Sequence, residues 1–113
     1  MERIIEITRD DYHNFVLKTK QPIPYWLNTK FTDHSYSKKL YLISMKGKEI
    51  NGFWIVPIVN DKNGIIAKRD FRFFPYASPY ILETDNLKRR KVSYDFFSFL
   101  KERSNIFTYA YRL

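Results

Sequence analysis

The sharpest chemistry-bearing feature of the chain is the run Lys88-Arg89-Arg90-Lys91. It falls in the first turns of a predicted helix, where positive charge opposes the macrodipole. Four cations beside free backbone amides would hold a phosphate or a carboxylate. A solvated surface turn is the competing reading, because charge runs usually face water. A second chemistry is suggested by 20 Lys and Arg against 12 Asp and Glu, a net charge of +8, together with 19% aromatic residues. Cations would neutralise phosphates while rings stack on bases, with Tyr36, Tyr41, Arg69, Arg72 and Tyr76 as candidates. Yet no nucleic-acid motif is present, and three glycines leave no room for a KH-type loop.

Catalytic arrangements are sparse. Asp10 and Asp11 are adjacent, so on a helix they diverge by about 100° and cannot share a proton. They read better as helix-start charges. His13 and His34 have no ligand-like partners, and Ser44, Ser78 and Ser93 stand outside any nucleophile-elbow context. There is no phosphate-binding glycine loop. The absence of cysteine removes disulfides, a thiolate zinc site and a cysteine nucleophile together. No metal site is expected from two histidines. No catalytic residue can be named from these residues alone.

The elements that must position these groups follow from periodicity. At 113 residues with 44% hydrophobic content, one folded domain is expected. No apolar run approaches a membrane span, and the start MERIIEITRDD lacks a signal-peptide core, so a cytoplasmic domain is expected. Residues 3–7 suit a strand. Thr8 begins a near capping box, and Tyr12, Phe15, Val16 and Thr19 recur at helical spacing over 9–19. Pro22 and Pro24 end that helix. Residues 25–33 suit a second short helix, with Trp26, Leu27 and Phe31 inward. A meander follows: 39–46, a turn at Gly47-Lys48, then 49–59, whose run INGFWIVPIV suggests a central strand. Pro57 predicts a bulge or strand end there. NDKNG turns the chain into a third strand over 64–69 and 71–74. PYASPY at 75–80 reads as a rigid loop. Asp85 or Asn86 caps a helix to about Arg103, with Val92, Phe96, Phe99 and Leu100 on one stripe. Residues 105–112 alternate as a last strand. The expectation is an α+β domain, with helices packed on one layer of sheet.

This order resembles the first part of the GNAT acyltransferase fold, a mixed sheet with flanking helices. The stretch that carries the CoA-binding loop in that fold is RFFPYASPYILETDN here, without a glycine. The chain is more similar to the N-terminal module of Fem-type aminoacyltransferases, where two GNAT-like modules stand in tandem and the first lacks the CoA loop. QPIPYWLNTKF, MKGKEINGFWIVPIV and FPYASPYIL carry the resemblance, with Tyr80 where a glycine is expected. It implies a substrate groove lined by Trp26, Lys30, Tyr76 and Tyr80. Lys30, four residues after Trp26, would meet a substrate phosphate or other anionic group of a small molecule or peptide. Acyl-CoA or aminoacyl-tRNA would be bound by a second module, and this chain would not catalyse alone. The sequence stops at Leu113, before the elements that complete a GNAT module, so the resemblance implies an N-terminal or incomplete module of a larger transferase. Two alternatives stay open: a small nucleic-acid-binding protein using Lys88–Lys91, or a module that forms homo-oligomers through an open strand edge.

Overall fold

The computed structural model describes residues 2–19, 22–33, 38–61, 64–67 and 79–103. Strand β1 (Glu2–Ile7) leads into α1 (Arg9–Lys18), then a 3-10 turn (Tyr25–Leu27) and the single-turn α2 (Thr29–Thr32). Strands β2 (Lys38–Lys46), β3 (Glu49–Asp61), β4 (Gly64–Ala67) and β5 (Tyr80–Ile81) precede the long α3 (Asn86–Arg103). The sheet order is β1-β2-β3-β4, with β5 on β3, and every pairing among the described residues is antiparallel. This is a small α+β domain. The mixed sheet that the family resemblance implies is not seen among these strands; the expected last strand at 105–112 lies outside the described residues, as do 68–74 of the expected third strand.

Local chemistry sets the boundaries. The Thr8 hydroxyl accepts from the Asp11 amide and opens α1. Asn28 does the same for α2 through Lys30 N. At the β2–β3 hairpin, Lys46 pairs with Glu49 across a two-residue loop. Its first residue, Gly47, has φ of 63°, the left-handed value that primed hairpin turns require and that glycine adopts without steric cost. Asp85 Oδ1 takes the Lys88 amide at 3.0 Å and starts α3.

The expected bulge at Pro57 is not observed. Pro57 pairs with Lys39 inside a strand that continues to Asp61. The irregularity sits instead where Ser44 faces Gly52 and Met45 faces Ile50, leaving Asn51 as the extra residue. The expected loop at 75–80 is corrected at its last residue, because Tyr80 belongs to β5 and pairs with Phe53; residues 75–78 lie outside the described residues.

The helices cover both faces of the single sheet. Phe53 and Trp54 are neighbours on β3 and so face opposite ways. Tyr12 of α1 packs edge-on against Phe53, with ring centroids 5.5 Å apart, and against Tyr41. Trp54 packs against Phe96 and Phe97 of α3, at 6.0 and 4.9 Å. Residues 51–58 of β3 are all buried, as a strand covered on both faces must be. Gly52 is the closest approach: a Cβ there would lie 2.8 Å from Phe96 Cε2 and 3.3 Å from the Tyr80 carbonyl oxygen. The small residue lets α3 and β5 seat against β3 together.

Candidate functional site

The stripe Asn86, Arg89, Arg90 and Ser93 of α3 has the spacing i, i+3, i+4, i+7, which places these residues along one side of a helix. That side meets Pro79, Tyr80 and Ile81, and the two walls enclose an open hollow of about 480 Å³. Asn86, Arg89 and Arg90 are exposed at its mouth, and Ser93 is half-buried. Among the described residues neither guanidinium has an ion-pair partner. Two guanidinium forks, a hydroxyl and a side-chain amide give a donor-rich wall, complementary to a phosphate or carboxylate.

The helix end contributes less than the sequence suggested. The Lys88 amide is taken by Asp85 Oδ1 and the Arg89 amide by the Asp85 carbonyl, at 3.0 and 2.8 Å. Any anion here is therefore met mainly by side chains. Glu83 lies beside the same helix start and accepts from the Thr84 and Asp85 amides, at 3.1 and 3.2 Å. The Asp85 amide, helped by the Thr84 amide and by the charges of Lys46 and Lys88, holds the Glu83 carboxyl below its usual range. Glu83 thus stays ionised and keeps the Asp85 cap in place.

A larger hollow of about 710 Å³ runs along β1, between Ile4, Ile5, Ile7 and Phe99, with Glu6, Thr8 and Asp11 at its border. Among the described residues no cation lines it, so the smaller hollow is the candidate for an anion. Of the basic run, Arg89 and Arg90 enter the hollow, while Lys88 and Lys91 are exposed outside it, Lys91 reaching Asp95 at 3.2 Å.

Of the groove residues drawn from the family resemblance, the two whose side chains are described, Lys30 and Tyr80, lie apart. Lys30 is exposed on α2, and α2 sits beside the 3-10 turn whose Leu27 carbonyl accepts from Tyr12 Oη at 2.8 Å. That is the α1 face, across the sheet from α3. Trp26 lies in the 3-10 turn, and Tyr76 is outside the described residues. Tyr80 borders the Arg89–Arg90 hollow. Of the proposed base-stacking residues, Tyr41 is half-buried against Tyr12, and burial raises its hydroxyl above the ordinary value; the others lie outside the described residues. Asn86 and Ser93 had no anion-binding role in the sequence reading. Their spacing with Arg89 and Arg90 is the signal that finds them.

The α1 face carries polar links of its own. Arg9 bridges Asp33 and Asp10, which raises its guanidinium further above the usual range. His13 Nδ1 meets the Thr29 hydroxyl. Thr29 is fully buried, so this pair is closed to a substrate and acts as a tie between helices. Among the described residues no group of three His, Cys, Asp or Glu side chains is placed to hold a metal ion, and no helix is long and apolar enough to cross a membrane. Compared with protein-family models, curated proteins and solved structures, the chain matches none.

Proposed function

We propose that this domain is a binding module for an anionic group of a small molecule or peptide, held between β5 and α3. The observation that carries this reading is the pair Arg89 and Arg90, unmatched by carboxylates among the described residues, on one hollow with Asn86 and Ser93. Kinship with the N-terminal module of Fem-like acyltransferases is part of the proposal, supported by element order and by the motifs around Trp26, Gly52 and Pro79. In that arrangement the domain orients an acceptor, while a second module binds acyl-CoA or aminoacyl-tRNA and performs the transfer. The anion contact then passes from Lys30 to Arg89 and Arg90, because Lys30 stands on the opposite face.

Calorimetric titration of the chain with inorganic pyrophosphate tests the site. Arg89→Ala or Arg90→Ala is expected to weaken saturable binding about 10- to 100-fold, the loss of one charge-assisted hydrogen bond of roughly 1.5–3 kcal/mol. Lys30→Ala should leave it unchanged. Binding that ignores both arginines sinks the assignment, and turnover of an acyl-CoA by this chain alone sinks the non-catalytic role.

A further inference from the structure

The outward side of α3 carries a second surface, which shares Arg90 with the hollow. Leu87 and Tyr94 are 76% and 71% exposed, the two most exposed large apolar side chains among the described residues. Seven positions apart, they lie on one helix face two turns from each other. Arg90 and Lys91 stand between them on that face, and Lys88 flanks it, all exposed. Further along α3 the acids Asp95 and Glu102 are offset by Lys101 and Arg103, and Asp95 reaches back to Lys91 at 3.2 Å, so the excess of positive charge lies in the run Lys88–Lys91. The N-terminal half is therefore both basic and apolar.

We propose that this half of α3 rests on the surface of an anionic lipid bilayer. A leucine offers no flat ring for a base to stack on, so a nucleic acid would leave Leu87 unused. At a bilayer, Leu87 enters the boundary between headgroups and acyl chains, and Tyr94 sits at the headgroup level. The lysine and arginine stems lie along the apolar surface and hold their charges at the lipid phosphates. The net charge of +8 has the sign such a surface attracts. This surface does not depend on the anion site in the hollow; Arg90 belongs to both, so the test leaves it untouched.

The full chain is sedimented with vesicles of phosphatidylcholine alone, or with roughly 30 mol% phosphatidylglycerol, at about 0.1 M salt. Binding is expected to the anionic vesicles only. Lys88→Gln with Lys91→Gln should lower the partition coefficient about 25-fold, roughly fivefold for each basic residue. Leu87→Ser with Tyr94→Ser should lower it at least about tenfold. Leu17→Ser is the control, because Leu17 on α1 is 64% exposed and lies off this face. Unaltered melting of each variant separates lost docking from lost fold. The proposal is overturned if the Leu87/Tyr94 variant binds like the wild type, if Leu17→Ser weakens binding equally, or if both vesicle types bind alike. It is equally overturned if the chain ignores vesicles but binds an oligonucleotide.

Discussion

The two faces of the sheet are held by different physics. On the α1 face, apolar packing is supplemented by directional polar links: Tyr12 to the Leu27 carbonyl, His13 to Thr29, and Arg9 to Asp33. On the α3 face, the helix is seated by Val92, Phe96 and Leu100, all fully buried, against Trp54 and the gap left by Gly52. The polar groups of α3 are instead spent at its start and on its outer surface. Directional bonds fix one position, whereas apolar contact leaves a helix free to display its remaining faces. The proposed anion site accordingly draws on the exposed side chains of α3.

The largest expected effect tests how far the α3 face depends on one ring. Phe96→Ala should cost about 3–5 kcal/mol in chemical unfolding, because a large aromatic leaves a cavity that the sheet cannot close. Gly52→Ala should cost about 1–3 kcal/mol, because Phe96 and the Tyr80 backbone would have to move. The two should not be additive. In a Phe96→Leu background the alanine at 52 has room on the ring side, so its cost should fall by about 0.5 kcal/mol or more. Strict additivity would mean that the Tyr80 backbone, and not the ring, defines the tight approach.

Much of this frame is legible in the sequence. Thr8 before two aspartates, Gly47 between two apolar runs, and the Val92–Phe96–Leu100 stripe each specify local structure through capping, turn sterics or period. INGFWIVPIV announces a strand covered on both faces, although which helix covers which face is decided by whether Phe53 or Trp54 meets it. A two-residue strand such as β5 has no period to read, and it exists because Gly52 and Phe53 offer an edge for Tyr80 and Ile81. The hollow was hidden for the same reason. Its charges are visible in the chain, but its opposite wall is a tertiary pairing. Pro57 misled because proline signals a missing donor without saying which edge of the strand needs one.

A smaller effect probes the α1 face. Tyr12→Phe keeps the ring contacts with Phe53 and Tyr41 but leaves the Leu27 carbonyl without its buried donor, costing about 1–2 kcal/mol. Burial raises the Tyr12 hydroxyl well above its ordinary 10.0. A raised folded value means that the contribution is complete below the unfolded pKa and is lost as pH climbs through the folded one. Wild type should therefore lose stability from about pH 10 upward more steeply than Tyr12→Phe. Parallel alkaline profiles would show that the hydroxyl is not what ties the 3-10 turn to α1.

The smallest effect is at the start of α3, where the two modes of holding meet. Glu83 is kept ionised by the Asp85 and Thr84 amides, so its folded pKa lies below the ordinary 4.5. A depressed value gives stability that is complete above the unfolded pKa and disappears as pH falls through the folded one. Glu83→Gln should thus melt close to the wild type in strong acid, with a modest gap opening as pH rises through the depressed folded value and complete above the ordinary 4.5. The same substitution removes a negative charge close to the basic run, so pyrophosphate affinity at neutral pH should hold or rise slightly. If affinity falls instead, Glu83 acts on the site by ordering the Asp85 cap, and the display of Arg89 and Arg90 depends on a directional bond after all. That outcome would erase the contrast between the faces at the proposed anion site.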